Sequence, residues 1–196
     1  MFEVERKFAL TEENERALLA GAEFVGTKTF TDVYYDTSLF ALTTKDTWLR
    51  SRDGRFELKL PLNKNRVGER VADQYHEIEE EEAIRKELGF PVDGMFAEAL
   101  KAHEYTPIAQ ITTTRRKYKK GEFVLDLDDM DYGYKVGEIE LMVSDMAEME
   151  GAAQKIVAFG EAQGLSLVPV RGKVLEYIRR YNPPHFEALK AKGLTL

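Results

Sequence analysis

Alternation of apolar and charged side chains runs through most of this chain. From Phe2 to Leu10, apolar Phe2, Val4 and Phe8 interleave with Glu3, Glu5 and Lys7, the period of a strand with one apolar face. Strands are likewise predicted over Thr27–Asp36, Thr47–Ser51, Phe56–Leu60, Tyr75–Glu79, Thr106–Tyr118, Phe123–Asp128 and Lys135–Val143, where β-branched and aromatic residues gather. Asp53-Gly54 marks a hairpin, and Asn63–Gly68 reads as a polar loop. Helical spacing occupies Thr11–Ala20, capped by Thr11 with acids in its first turn. It also occupies most of Glu80–Ala102, broken at Gly89 and Pro91, then Glu148–Gln163, Lys173–Tyr181 and Pro184–Lys192. Roughly eight hairpin-linked strands, with helices inserted singly and at the end, predict an α+β fold on an antiparallel sheet, open or closed. No internal boundary is visible, so residues 1–196 are expected to form one domain.

The informative feature is what the strands place on their second face. Residues two apart on a strand point the same way. Charged pairs recur at that spacing: Glu3 and Glu5, Arg50 and Arg52, Glu57 and Lys59, Glu77 and Glu79, Asp126 and Asp128, Glu138 and Glu140. Their neighbours on the other face are apolar, as in Leu58, Leu125, Leu127 and Ile139. A solvated strand face would carry any one such pair. An ordinary solvated face, however, mixes Ser, Thr, Lys and Gln with its acids. Asp-x-Asp and Glu-x-Glu put like charges about 7 Å apart, which is unfavourable unless cations intervene. Paired carboxylates with Arg-x-Arg nearby describe a site for divalent metal and polyphosphate together, since hard oxygen ligands suit Mg²⁺ or Mn²⁺ and guanidinium suits phosphate.

Composition excludes several other classes. The chain has no cysteine, so disulfide scaffolds, thiol nucleophiles and zinc–thiolate sites are out. Net charge is −7, which offers no general basic footprint for nucleic acid. No apolar run approaches the roughly 18 residues of a membrane span, and the N-terminus does not read as a signal peptide. A cytoplasmic protein with no nucleic-acid or membrane partner is expected. There is no Gly-x-x-x-x-Gly-Lys phosphate loop and no Gly-x-Ser-x-Gly. His76, His103 and His185 lie far apart and read as structural or surface residues.

Glu3-Val4-Glu5-Arg6-Lys7 resembles the Glu-x-Glu-x-Lys signature of the CYTH superfamily, the triphosphate tunnel metalloenzymes. Tyr34-Tyr35-Asp36-Thr37, Trp48-Leu49-Arg50-Ser51-Arg52, Glu57-Leu58-Lys59, Tyr75-His76-Glu77, Arg115, Asp126-Leu127-Asp128, Gly133-Tyr134-Lys135-Val136-Gly137-Glu138-Ile139-Glu140 and Lys173 extend the likeness in the family's order. Within the superfamily the pattern is most similar to the thiamine triphosphatase branch, whose C-terminal Lys-x-x-x-Tyr-x-x-Arg has its counterpart in Lys173, Tyr177 and Arg180.

The resemblance implies an eight-stranded antiparallel β-barrel with helices outside and the charged face turned into a tunnel. It implies Mg²⁺, with Mn²⁺ as a substitute, drawn to Glu3, Glu5, Asp126, Asp128, Glu138 and Glu140. Lys7, Arg50, Arg52, Lys59, Arg115 and Lys173 would bind a small-molecule triphosphate, and Trp48 would stack on the organic moiety. Lys59 and Tyr34 would act together near the reacting phosphate, while Glu77 is an inward acid without an assigned role. Arg116 is expected to point away from Arg115, and Lys117 to add no more than positive field. The implied reaction is hydrolysis of thiamine triphosphate to thiamine diphosphate and phosphate by a monomer. The rivals are inorganic triphosphatase, a class IV type adenylyl cyclase, and a non-catalytic polyphosphate-binding module.

Overall fold

The computed structural model describes residues 2–62, 71–166 and 168–195, so the loop expected over 63–68 lies outside the described residues. Eight strands close into an antiparallel barrel: β1 (Phe2–Ala9), β2 (Glu23–Asp36), β3 (Trp48–Arg52), β4 (Arg55–Pro61), β5 (Asp73–Ile78), β6 (Thr106–Lys120), β7 (Phe123–Met130) and β8 (Tyr134–Val143). Around the barrel the order is β1-β5-β4-β3-β2-β6-β7-β8. The helices are α1 (Glu12–Leu19), α2 (Glu81–Leu88), α3 (Phe96–Ala102), α4 (Met149–Ala162), α5 (Lys173–Tyr181) and α6 (Pro183–Ala191).

Local signals account for the elements. Thr11 caps α1, its side chain accepting from the Asn14 backbone N–H. The β3–β4 hairpin turns on Asp53 and Gly54, both at positive φ (49° and 88°), with Arg52 paired to Arg55 across it, as a type I′ turn requires. The predicted helix over 80–102 is interrupted more widely than one break at Gly89 and Pro91 would suggest, since α2 ends at Leu88 and α3 begins at Phe96. β2 and β7 run longer than alternation alone indicated, because β6 pairs with the added residues of both.

The apolar faces point outward, beneath the helices. Val4, Phe8, Leu125, Leu127 and Ile139 pack with Ala152 and Ile156 of α4. Leu49 and Leu58 pack with Ile84, Phe96 and Leu100 of α2 and α3. A third cluster lies on the inward side instead: Ile111, Met130 and Val136, on the same strand faces as Arg115, Asp128 and Glu138, join Leu175 and Ile178 of α5 and Leu189 of α6. With the first two clusters outside, the charged faces of the strands line the interior, and the third cluster meets that interior at α5.

One polar cluster belongs to this scaffold. The fully buried Asp36 carboxylate accepts from the Thr37, Leu42 and Thr43 backbone N–H groups and from the Thr43 hydroxyl. The same hydroxyl meets His185 Nε2 at 2.7 Å, and the His185 ring stacks on Phe40. Asp36 therefore shapes the 37–43 loop, and the loop holds α6. No helix among the described residues is long and apolar enough to cross a membrane.

Candidate active site

The barrel interior holds a cavity of about 280 Å³. Strand parity delivers its lining. β1 contributes Glu3, Glu5 and Lys7, β3 contributes Trp48, Arg50 and Arg52, and β4 contributes Glu57 and Lys59. Glu77 comes from β5, Arg115 and Lys117 from β6, Glu138 and Glu140 from β8, and Tyr34 from β2. Lys173 enters from the first turn of α5. Asp126 and Asp128 of β7 are fully buried behind Arg115, which bonds to both.

Pairing across the sheet sets like charges face to face. Glu5 stands opposite Glu140 and Asp126 opposite Glu138, an arrangement that destabilises a strand pair unless a cation lies between. Two groups of carboxylate oxygens converge within 4.8 Å, one from Glu3, Glu5 and Glu140, the other from Asp126, Glu138 and Glu140. Asp126 Oδ1 is buried without a hydrogen-bond partner, a costly condition for a carboxylate oxygen. An all-oxygen donor set with one uncommitted buried atom fits Mg²⁺ or Mn²⁺. Asp128 stands apart from both groups, because its two oxygens accept from Arg115 at 2.6 and 2.7 Å.

The ionisation of the site follows from this crowding. Burial, with Glu5 and Glu77 nearby and Lys59 opposing, pushes Glu3 up to about 7. Burial and the charges of Asp126, Glu3 and Glu138 carry Glu140 well above the ordinary carboxylate range. Burial would also raise Glu5, but Lys7 and Lys59 outweigh it and hold Glu5 down at about 2. For Lys59, burial is overcome by Glu3 and Glu5, so its ammonium is retained far above neutrality. Burial takes the Tyr34 phenol up to about 12, leaving a neutral hydrogen-bond donor. Lys173 goes the other way: burial lowers it to about 8, against the pull of Asp32 and Asp128.

The cations are held by acids inside and outside the convergent groups. Arg50 meets Glu57 through Nε at 2.8 Å, and Lys59 bridges Glu3 and Glu77 at 2.9 and 2.5 Å, which gives Glu77 a partner. Lys7 pairs with Glu5 and Asp73. Asp32, fully buried, is the hub that sequence reading missed. It accepts from Arg52 at 2.8 Å and from Lys173 at 2.7 Å, and Arg50 lies 3.9 Å away. Its place between Thr31 and Val33 on a predicted strand gave the parity of Tyr34 but no hint of its three cationic neighbours.

The entry to α5 is fixed from the barrel. Tyr132 and Tyr134 donate their hydroxyls to the Lys173 and Arg171 carbonyls at 2.6 and 2.7 Å. A Cβ at Gly172 would come within 3.0 Å of Lys7, so glycine permits the close passage that brings Lys173 inward. Tyr177 and Arg180 of the same motif stay outside, against Tyr132.

Two residues separate on either side of β3: Tyr34 faces Arg50 and Lys59 faces Trp48. Trp48 is buried, its Nε1 donating to Asp46 at 2.9 Å and its ring edge-on to Tyr34. Arg116 points outward to Glu15 on α1. Lys117 does more than expected, since it lines the cavity and pairs with Asp126 at 3.3 Å. None of the three histidines is among the cavity-lining residues.

Known proteins resemble this chain in sequence and in fold. The CYTH domain model matches residues 1–168. Thiamine-triphosphatases of Homo sapiens and Macaca fascicularis are each 31% identical to this chain over 209 residues, covering 96% of it and 89% of their own length. Among solved structures, PH1819 of Pyrococcus horikoshii OT3 superposes with a TM-score of 0.66 at 21% identity, over 91% of this chain and 98% of its own. HpAC1 of Hippeastrum does so with a TM-score of 0.55 at 16% identity, over 91% and 94%. A closed barrel with an inward charged face, and a family match over most of the sequence, lead to one conclusion: the chain belongs to the CYTH domain family.

Proposed function

We propose that this protein is a Mg²⁺-dependent hydrolase that cleaves the terminal phosphate of thiamine triphosphate, giving thiamine diphosphate and orthophosphate. The observation that carries the reading is the juxtaposition, in one lumen, of convergent carboxylates with Arg50, Arg52, Lys59, Arg115 and Lys173. The relatives named thiamine-triphosphatase support the substrate class. Trp48, Tyr34 and Tyr75 give the cavity an aromatic flank suited to a cationic heterocycle.

Glu3, Glu5, Asp126, Glu138 and Glu140 would hold the divalent cation, which supplies Lewis-acid stabilisation to phosphate oxygens. The chain's own groups do the rest. Arg50, Arg52 and Arg115 bind phosphate oxygens through paired N–H donors, and Lys59 adds a fixed positive charge. Tyr34, paired with Arg50 and beside Trp48, donates a hydrogen bond to a phosphate oxygen. Such preorganised charge is where most of the stabilisation of phosphoryl transfer arises. Lys59 is held too strongly protonated to take a proton from water at neutral pH.

The test is orthophosphate release from thiamine triphosphate, tripolyphosphate and ATP, each with Mg²⁺ and with EDTA. Mg²⁺-dependent release strongest with thiamine triphosphate is expected. Trp48→Ala should then raise KM for thiamine triphosphate by about tenfold and leave tripolyphosphate untouched. Equal loss on both substrates would remove Trp48 from recognition of the organic moiety.

The pH dependence of kcat/KM is expected to be bell-shaped. Loading of metal at Glu3, Glu5 and Glu140 requires Glu3 and Glu140, both raised by burial, to give up their protons, so activity falls as pH drops through about 7, where Glu3 titrates. On the alkaline side Lys173 loses its charge above about 8, and triphosphate binding weakens. Lys173→Arg should abolish the alkaline limb, because guanidinium does not titrate there. An unchanged limb in that variant would assign it to another group.

A further inference from the structure

A second recess opens where β2 and β6 run on past β3. The β2 segment 25–27 forms one wall, with Lys28 and Phe30 beside it. Arg52, Arg115 and Lys117 complete it, and all three also line the main cavity, so the two spaces share a wall. A register shift between Phe24 and Gly26 of β2, opposite Tyr118 and Lys117, interrupts the ladder here, and such bulges bend a strand and re-aim its side chains. The recess lies at the Arg52 end of β3. Trp48 stands at the other end of that strand, about 13 Å away by the rise per residue.

The chemistry of the recess differs from that of the lumen. Its lining holds Lys28, Arg52, Arg115 and Lys117 and no carboxylate. Lys28 stands opposite Arg115 in register. Arg52 lies 4.1 Å from the centre of the Phe30 ring and the Lys28 ammonium 6.0 Å from it, so the buried ring forms an apolar floor under a cationic rim. Arg52, Arg115 and Lys117 divide their charge with Asp32 and the β7 acids. Lys28 has no carboxylate within ion-pair distance among the described residues. A compact anion seated here would be met by cations with no need of a metal ion.

We propose that this recess is a second, metal-independent anion site that takes orthophosphate. Identifying its ligand with the released product rests on the triphosphatase reading; the binding itself does not. The consequence is a division of traffic: inorganic phosphate leaves by the Arg52 end, and the organic diphosphate by the Trp48 end. Because Arg52 and Arg115 face both spaces, phosphate held here weakens triphosphate binding from the Arg52 end.

Titration calorimetry with inorganic phosphate in EDTA tests the site without turnover. Lys28→Ala is expected to weaken phosphate binding about five- to tenfold, the loss of one charge-assisted contact, and Lys28→Arg to retain it. In kinetics, Lys28→Ala should keep its initial rate on thiamine triphosphate while becoming less sensitive to inhibition by added phosphate. Equal phosphate affinity in Lys28→Ala and the unaltered protein would overturn the proposal. So would phosphate binding that requires Mg²⁺, or inhibition by phosphate that is equal in Lys28→Ala and the unaltered protein. A chain that hydrolyses no triphosphate yet loses phosphate affinity on Lys28→Ala would sink the catalytic reading and leave the site standing.

Discussion

Replacing Glu140 by glutamine is expected to cut turnover roughly a hundred- to thousand-fold, the usual cost of removing a preorganised electrostatic group, while leaving thermal stability unchanged or raised. Glu140 is the carboxylate common to both convergent groups, so its loss weakens either metal position. In the metal-free protein the same side chain is a burden. It is buried opposite Glu5 and near Asp126, Glu3 and Glu138, and these neighbours resist its ionisation. A neutral amide of the same shape removes that repulsion. Mg²⁺ titration, a thermal melt and steady-state rates on one preparation would check all three effects. Unchanged turnover with unchanged metal affinity would remove Glu140 from the site.

Asp32→Asn should have the second large effect, and its pattern is different. Asp32 belongs to neither group of convergent carboxylates; it positions Arg52 and Lys173 and lies near Arg50. Removing one partner of a buried charge network leaves the others uncompensated, at about 3–5 kcal/mol. For a chain of this size Tm is expected to fall by on the order of 10 °C. Turnover efficiency should fall with it, because the guanidinium groups lose their fixed orientation. A purely structural role would stop there. A positioning role predicts more: Asp32 raises the Lys173 pKa, so its neutralisation moves the alkaline limb of kcat/KM to lower pH. Asp32→Glu should restore part of the efficiency and return the limb toward its position. A limb that stays in place in Asp32→Asn would disconnect Asp32 from Lys173.

The two variants also separate two kinds of legibility. Glu140 could be read from the chain, because a Glu-x-Glu on an alternating strand is a local statement about side-chain direction. The same parity put Glu3, Glu5, Arg50, Arg52, Lys59 and Glu138 on one face, and the barrel turns that face inward. Arg116 was assigned outward by the same rule and bonds to Glu15 there. Lys117 obeys it too, two residues from Arg115, yet its contact with Asp126 was not foreseen. That contact depends on which β7 residue comes alongside, and period-two alternation carries no register.

What the sequence by itself determined is therefore the set of strands, the faces of their side chains and the chemical character of the inward face. Each follows from the period of the strand and from short-range turn chemistry, which do not need a partner. Only the tertiary structure decided who meets whom. Barrel closure set Glu5 against Glu140 and Asp126 against Glu138. The approach of α5, held by Tyr132 and Tyr134, brought Lys173 onto Asp32 across well over a hundred residues of sequence. Register and shear also set Arg52, Arg115 and Lys117 between a lumen rich in carboxylates and a recess lined by none. These are long-range outcomes of pairing and closure, set by the summed packing of the whole barrel, and no local run of residues encodes them.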